Sequence, residues 1–313
     1  MTKDFRFSCN FRQVEPGQKF VEKCRRVERY GYDTIFAPDH VGAPAPFPVL
    51  VAAAAATERI RVGTLVLNVS FWNPTLLARE IVTTDILTGG RVEVGLGAGH
   101  MKWEFDLAGI GWEPFATRAN RLAQTITDLG RIFEHQVSAL PAGQAPRPIQ
   151  RQGFGGAGPP LLVGGTGDRI LRTAAEHANI IGLAGVYQIP GKPPGTFRLG
   201  TAAEAAERVR FAREHAGERA DEVEWQVLIQ IVVETDDRSA AAKDVVACLG
   251  DTMTIDEALE TPFLLMGTVD EMADQLIRAR DRYGFTYLTV HEPYLEALAP
   301  VIAHLRTQQP CDP

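Results

Sequence analysis

The chain has 313 residues, 45% of them hydrophobic and 23% charged, which suits a globular protein with a sizeable core. Its net charge of −7 and pI near 5.6 argue against a nucleic-acid or anionic-membrane surface, so the expected partner is a small molecule. The N-terminal segment lacks the apolar core of a signal peptide, and no apolar run is long enough to cross a bilayer. The four cysteines are scattered and the histidines lack paired metal spacing, so we expect a reduced, cytoplasmic protein without a metal site.

Apolar periodicity in the first half of the chain predicts four strands alternating with helices. The strands are expected at 5–9, 33–37, 60–68 and 92–96, and the helices at 14–30, 49–57, 74–87 and 114–134. Asn73 is the expected N-cap of the third helix, with Pro74 in its first position. A long loop with Trp103, Phe105 and Trp112 follows the fourth strand.

The second half predicts four further strands, at 161–163, 180–183, 224–234 and 287–290. The helices are expected from about 168, at 201–215, 268–284 and 294–305, and capping boxes at Thr201 and Thr268 open two of them. The segments 137–158 and 185–200 are rich in proline and glycine and predict insertion loops. The tail after 307 is expected to fray.

Eight strands alternating with helices predict an α/β fold, a (β/α)8 barrel formed by residues 1–313 as a single domain, with a doubly wound sheet as the alternative. The barrel is favoured because the unusual polar and glycine residues follow the C-terminal ends of predicted strands, which form one rim where active sites are built. These residues are Asp39, His40, Asn68, Gly97 to His100, Gly164 to Gly167 and His291.

The segment 159–179 reads as a strand, a glycine turn and a helix. Gly164, Gly165, Thr166 and Gly167 allow close backbone approach, and the free N–H groups of the following helix point into the same turn. That geometry receives an anion, most often a phosphate. The alternative is a tight turn that uses glycine only for its shape.

Two other strand ends carry candidate chemistry. An imidazole at Asp39-His40 can act as an acid or a base, unless Asp39 merely shapes the turn. The glycines of 95–99 let the backbone approach a flat ligand, or serve a buried strand that needs small residues, and His100 adds a second titratable group. For His291 a rim hydrogen bond is the expected role.

Four aromatic residues in the loops after strands three and four either wall a substrate pocket or pack within the loops, namely Phe71, Trp72, Trp103 and Trp112. No G-x-S-x-G surrounds a serine, and 185–192 departs from the Walker spacing, so a serine hydrolase and a nucleotide hydrolase are excluded.

Taken in order, FAPDH, then RIRVGTLVLNVSFWNPTLLAREIVTTDILTGGRVEVGLGAGH, then PPLLVGGTGDRILRTAAEHAN resembles the luciferase-like flavin and deazaflavin oxidoreductases. The similarity covers nearly the whole chain and is strongest to the branch that uses coenzyme F420. It implies a TIM barrel, a phosphate on the glycine turn and a homodimer.

The resemblance also implies roles for individual residues. The cofactor would lie at the C-terminal rim, with Asp39 and His40 beside it and His40 contacting the ring or serving as acid or base. A bulge with a non-prolyl cis peptide, matching Leu65 and Val66, would support the ring from behind. The other residues matched to cofactor binding are Asn68, Gly97, Ala98, Gly99, Gly164, Gly165, Thr166 and Gly167.

One position departs from the family pattern. Members that oxidise a sugar phosphate carry a glutamate where this chain has His100, so sugar-phosphate oxidation is not expected. His100, with an unperturbed pKa near 6.5, would transfer a proton around neutral pH.

The first hypothesis is an F420-dependent oxidoreductase that passes a hydride between C5 of the deazaflavin and an unidentified small organic substrate. The alternatives are an FMN-dependent monooxygenase of the same family and a non-catalytic cofactor-binding protein.

Overall fold

The computed structural model describes residues 4–135 and 146–308. Its strands are β1 (Arg6–Asn10), β2 (Thr34–Ala37), β3 (Arg61–Thr64), β4 (Leu67–Asn68), β5 (Val92–Gly97), β6 (Leu161–Gly164), β7 (Ile180–Leu183), β8 (Val186–Gln188), β9 (Phe197–Leu199), β10 (Glu224–Ile229), β11 (Ile231–Glu234), β12 (Leu264–Gly267) and β13 (Phe285–His291). Its helices are α1 (Gln18–Arg29), α2 (Pro46–Ala56), α3 (Pro74–Leu87), α4 (Lys102–Ala108), α5 (Phe115–His135), α6 (Asp168–His177), α7 (Ala202–Ala216), α8 (Arg238–Cys248), α9 (Ile255–Glu260), α10 (Val269–Tyr283) and α11 (Leu295–Gln308).

The main sheet closes into a parallel barrel of eight strands. Around the ring the order is β1, β2, β3 with its continuation β4, β5, β6, β7, β10 and β13, and β13 pairs with β1. This is the (β/α)8 barrel that the sequence predicts, and each predicted strand contributes to it. The carboxyl ends of the strands therefore form one rim.

Sequence signals at helix ends are confirmed. Asn73 accepts hydrogen bonds from two backbone N–H groups at the start of α3. Thr201 and Thr268 each form a capping box, with Glu204 and Glu271 respectively. Because these caps satisfy the free N–H groups of the first turn, they fix where each helix begins.

Two predicted strands are interrupted in the structure. The strand expected at 60–68 breaks into β3 and β4 around the Leu65–Val66 peptide, which is cis. The strand expected at 224–234 breaks at Gln230: β10 stays in the barrel, whereas β11 leaves it and pairs in parallel with β12. Alternation along a sequence does not reveal such a break, because both pieces keep the same period.

Other segments are more ordered than the sequence predicts. The segment 185–200, expected to be a loop, contains the antiparallel hairpin β8–β9, and the loop after the fourth strand contains α4. The region 235–267, for which the sequence predicts no helix or strand, forms α8, α9 and β12. Of the predicted insertion 137–158, residues 137–145 lie outside the described residues. Of the tail, α11 extends to Gln308 and residues 309–313 lie outside them.

The opposite, N-terminal end of the barrel is closed by charged groups. Glu93, 1% exposed, forms ion pairs with Arg6 and Arg61 and accepts a hydrogen bond of 2.8 Å from the Tyr287 hydroxyl. Burial alone would raise the pKa of Glu93, but the two guanidinium groups hold it below its usual range.

Across the two described ranges, no helix is both long and apolar enough to span a membrane.

Candidate active site at the C-terminal rim

A cavity of about 790 Å³ opens at the C-terminal rim of the barrel. The structure brings every sequence-predicted site residue to its wall: Asp39, His40, Leu65, Val66, Asn68, Gly97, Ala98, Gly99, His100, Gly164, Gly165, Thr166, Gly167 and His291. Trp103 and Trp112 also line it. Phe71 and Trp72 do not, because Phe71 packs on Phe105 and the Trp72 indole bonds to Asp39, so for these two the pocket interpretation is wrong.

Asp39 holds the wall of the cavity together. Its carboxylate accepts hydrogen bonds from the backbone N–H of Asn68, at 3.1 Å, and from the indole of Trp72, at 2.8 Å. Burial raises the pKa of this carboxyl above its ordinary value, and the two donors oppose the rise. Asp39 therefore fixes the strand end that follows the cis peptide.

The glycines in β5 and just beyond its end are each required for a different reason. A Cβ on Gly95 would overlap the Thr64 carbonyl oxygen, so this glycine serves strand packing. A Cβ on Gly97 would lie 2.6 Å from Val66 Cγ2. Gly99 has φ +75°, where a side chain is strained, and its Cβ would lie 2.6 Å from the Asn68 amide. Glycine at these two positions lets Val66 and Asn68 pack against the end of the strand, and all four residues line the cavity.

The glycine turn leads into an N-terminus without a side-chain cap. Gly167 is the N-cap of α6, and no side chain accepts from the first N–H groups of the helix. A Cβ on Gly164 meets only ordinary contacts, the nearest at 3.4 Å, so packing alone does not demand glycine at this position. An uncapped helix start beside a cavity is suited to an anion.

Arg118 adds a buried positive charge on the same side of the cavity. The residue is 5% exposed and its guanidinium stacks on Trp112, 3.6 Å from the ring centroid. It donates to the carbonyl of Glu113, but its Nε has no partner. No carboxylate of the described residues pairs with it, and burial lowers its pKa. Because buried charges need partners, this guanidinium and the uncapped turn together fit a phosphate.

His40 is paired with a carboxylate that the sequence did not reveal. Its Nδ1 lies 2.7 Å from Oε1 of Glu104, a side chain only 3% exposed in the first turn of α4. The geometry assigns the Nδ1 proton to this bond and leaves Nε2 available in the cavity. Orienting an imidazole through one nitrogen prepares the other for proton transfer.

His100 lies beside His40 on the cavity wall. Its ring makes edge contacts with His40 and Phe197, at centroid distances of 5.5 and 5.4 Å, and is accessible from the cavity. Burial lowers the pKa of His100 to about 4, and the neighbouring His40, Arg118 and Arg12 act in the same direction. At neutral pH the ring is therefore neutral, with one donor and one acceptor nitrogen, and proton transfer by His100 stays a prediction.

We call the part of the rim from β2 to β6, together with Arg118, the glycine half. We call the part formed by the ends of β1, β10 and β13 the polar half. The polar half contains Asn10, Arg12, Gln230 and His291. Gln230 donates to the Ala184 carbonyl at 2.7 Å, so its Oε1 faces Nε2 of His291 at 3.2 Å. The rim hydrogen bond expected of His291 is present. Burial and the charge of Arg12 lower the pKa of His291 to about 4, so its ring is neutral.

Sequence reasoning missed several residues of this site, among them Glu104, Arg118, Asn10 and Arg12. Asn10 and Arg12 had a usable signal in the sequence. Together with Ser8 they alternate along and beyond the first strand, which predicts that they face the barrel interior. Glu104 and Arg118 lie on helices whose orientation becomes known only from packing.

Comparison with known proteins gives consistent matches. The sequence model of the family described as luciferase-like monooxygenase matches residues 5–287. An F420-dependent glucose-6-phosphate dehydrogenase of Amycolatopsis mediterranei is 34% identical over 115 residues, which are 34% of this chain and 34% of that protein, so the chain spans about a third of this relative. The Microbacterium testaceum protein of the same name is 24% identical over 307 residues, 85% of each chain.

Flavin-dependent relatives occur as well. The oxygenase component of the flavin-dependent trigonelline monooxygenase of Acinetobacter baylyi is 28% identical over 145 residues, 42% of this chain and 40% of that protein. The fold is shared with the coenzyme F420 dependent tetrahydromethanopterin reductase of Methanopyrus kandleri, with a TM-score of 0.72, 19% identity, and coverage of 97% of this chain and 100% of that one. With a family match along most of its length and this barrel, the chain belongs to the luciferase-like monooxygenase family and is a luciferase-like oxidoreductase.

Proposed function

We propose that this protein uses coenzyme F420 to transfer a hydride to or from a small organic substrate at the rim of the barrel. The observation that carries the proposal is the buried Arg118, which has no carboxylate partner among the described residues. Arg118 lines the same cavity as the uncapped glycine turn and the glycines at the end of β5. The choice of F420 is supported by the names of the two dehydrogenase relatives.

The residues present fit this cofactor. Gly97, Ala98 and Gly99 line the cavity beside Val66, where a tricyclic ring would lie against them. The turn Gly164 to Gly167 and Arg118 supply N–H donors and a positive charge for a phosphate. When bound, F420 supplies or accepts the hydride at C5 of its deazaflavin ring.

His40 is the proton-transfer residue of the proposal. Glu104 holds the proton on Nδ1, so Nε2 accepts a proton when the substrate is oxidised and returns it when the substrate is reduced. His100, neutral beside His40, donates or accepts a hydrogen bond and orients the substrate. The hairpin β8–β9 covers part of the cavity through Gln188 and Phe197 and limits access of water.

FMN is the second candidate cofactor, because it also combines a flat tricyclic ring with a phosphate and because a flavin-dependent monooxygenase is among the relatives. Both cofactors meet the same wall and the same turn. A direct comparison of their affinities is therefore the decisive experiment.

The experiment is an anaerobic fluorescence titration with F420, FMN and FO, a deazaflavin with the same ring and ribityl chain but no phosphate. We expect F420 to bind much more tightly than FO. Arg118→Gln should weaken F420 roughly 10- to 100-fold, the loss of a charge-assisted hydrogen bond, and leave FO unchanged. The matched control is Arg131→Gln, an exposed arginine on the same helix.

Each other outcome has a definite meaning. Preference for FMN over F420 would assign the enzyme to the oxygen-using flavin group. Equal binding of F420 and FO would remove the phosphate role of Arg118 and the glycine turn. Binding of none of the three ligands would overturn the proposal.

A further inference from the structure

We propose that the polar half is a substrate subsite that selects small organic acids: a carboxylate on Arg12, with a neighbouring hydroxyl or amino group on the buried acceptors Asn10 and His291. This inference rests on the proposed function only in assigning the glycine half to the cofactor.

Arg12 reaches the cavity through the inward-facing row of the first strand. Ser8 is fully buried in the barrel and bonds to Thr289 at 2.7 Å, and Asn10 is 4% exposed one step higher. Side chains two residues apart share a face of a strand, so Arg12 follows them and emerges at the rim, where it lines the cavity. Arg12 itself is exposed and lies two residues beyond the end of β1, with its backbone N–H bonded to Glu292.

Glu292 is a carboxylate that contacts Arg12, but it does not neutralise the Arg12 side chain. Glu292 accepts the backbone N–H groups of Arg12 and Gln13, at 3.0 and 3.2 Å, and forms an ion pair with Lys23 at 2.5 Å. Within residues 4–135 and 146–308, no carboxylate forms an ion pair with the Arg12 guanidinium. The strand end is thus anchored while the guanidinium stays available to a ligand.

The acidic groups of the cavity are also engaged elsewhere. Asp39 accepts from Asn68 and Trp72, and Glu104 faces His40. The positive field of Arg12 reaches both His100 and His291, whose pKa values it helps to lower. The polar half therefore presents an uncompensated positive charge to the cavity, although the chain as a whole carries a net charge of −7. Such a local field favours an anion.

Arg12 and the glycine turn lie on opposite sides of the ring. Between β1 and β6 there are three barrel strands on either side: β2, β3 and β5 in one direction, and β7, β10 and β13 in the other. One phosphate cannot contact both places. The charge of Arg12 is therefore left for a second ligand, which meets the cofactor across the cavity.

Two unpartnered atoms refine the chemical class. Oδ1 of the buried Asn10 and Nδ1 of His291 have no hydrogen-bond partner. Since Gln230 takes the Nε2 proton, Nδ1 of the neutral His291 is an acceptor. Buried acceptors need donors, so the ligand supplies a hydroxyl or an amine beside its carboxylate. Trp103 and Phe197 offer apolar surface for the rest of the molecule.

The test is calorimetric binding of four defined probes to the F420-saturated protein: glycolate, mandelate, mandelamide and phenylacetate. Mandelamide removes the charge of mandelate, and phenylacetate removes its hydroxyl. We expect mandelate to bind at least about tenfold more tightly than either analogue. Arg12→Gln should abolish the difference between mandelate and mandelamide, whereas Arg29→Gln, an exposed arginine of α1 outside the cavity, should preserve it.

The F420 affinity of Arg12→Gln separates this inference from the proposed function. An affinity for F420 within about twofold of wild type, with loss of acid binding, supports the subsite. A parallel loss of F420 binding would assign Arg12 to the anionic tail of the cofactor and overturn it. Equal binding of mandelate and mandelamide, or no binding of glycolate and mandelate at millimolar concentration, would overturn it as well.

Discussion

The two halves of the rim differ in which part of the chain, backbone or side chains, forms the wall of the cavity. In the glycine half the backbone forms much of the wall and the Asp39 carboxylate is satisfied within the protein, while the atoms without a partner, Asn68 Nδ2 and Arg118 Nε, are donors. In the polar half side chains form the wall, and the atoms without a partner, Asn10 Oδ1 and His291 Nδ1, are acceptors. A backbone wall suits a ligand of fixed shape, whereas a side-chain wall can change with the substrate without altering the barrel.

The largest effect that would sharpen this contrast is expected at His40, where the halves meet. His40→Asn should lower the rate of hydride transfer about 10²- to 10⁴-fold, because proton transfer at Nε2 is lost, while F420 affinity stays the same. The measurement is single-turnover absorbance of the deazaflavin with a substrate found by screening acids. An unchanged rate would show that His40 does not transfer the proton, and no hydride transfer in the wild type with any substrate tried would favour a non-catalytic cofactor binder.

Glu104→Gln provides the companion to that variant. Its effect on rate should be smaller, because glutamine still occupies the position but no longer fixes the Nδ1 proton. Nitrogen NMR of the His40 ring should show a mixture of tautomers in place of one. An unchanged tautomer with a reduced rate would mean that Glu104 only fills space.

A second test asks which glycines serve the fold and which serve the ligand. Gly95→Ala should destabilise the protein by about 3 kcal/mol or more, because the new methyl group would overlap the Thr64 carbonyl. Gly164→Ala should cost less than about 1 kcal/mol of stability but weaken F420 roughly tenfold, since the methyl group narrows the cofactor side of the cavity.

Denaturant unfolding and F420 titration on the same samples measure both quantities. Gly111→Ala makes the same chemical change where no atom lies within 4 Å and should change neither. If Gly164→Ala lost stability as much as Gly95→Ala, the turn would need glycine for its shape alone.

The smallest effect concerns acid sensitivity of the polar half. His291 has a folded pKa of about 4 and an ordinary value near 6.5, so the unfolded chain binds more protons between these values. The stability associated with neutral His291 is complete above pH 6.5 and is lost as the pH falls toward 4. At pH 5 the loss is at most about 2 kcal/mol.

His291→Asn removes this titration and should flatten the change in unfolding free energy between pH 7.5 and pH 5. Urea unfolding at the two pH values provides the measurement, with His304→Asn on α11, a half-buried histidine that faces Asp270 at 3.2 Å outside the cavity, as the comparison variant. An identical pH dependence in wild type and His291→Asn would show that this ring is already protonated or fully solvated.

Much of the fold followed from local signals in the sequence. Alternating apolar residues located the eight barrel strands, and Asn73, Thr201 and Thr268 marked helix starts through caps that act over three or four residues. Placement of the polar and glycine residues at strand ends was enough to predict one shared cavity, because parallel strands in a barrel bring these ends together.

Interactions between distant parts of the chain could not be predicted. Pairing of His40 with Glu104 depends on how α4 packs, and that segment lacks the length of a clear helical pattern. The low pKa of His100 depends first on burial and then on nearby groups that include Arg118 and Arg12, and these come from different elements. The break at Gln230 follows from pairing of β11 with β12, a contact without a local signature.

The Glu93 network at the base of the barrel has a kinetic consequence. With Arg6, Arg61 and Tyr287 packed around Glu93 at that end, the base of the barrel is not open to a ligand of the rim cavity. Both proposed ligands are therefore expected to enter and leave on the rim side. A ligand bound on one side of the cavity should then slow release of the other to the extent that their paths to solvent overlap, which product-inhibition kinetics would measure.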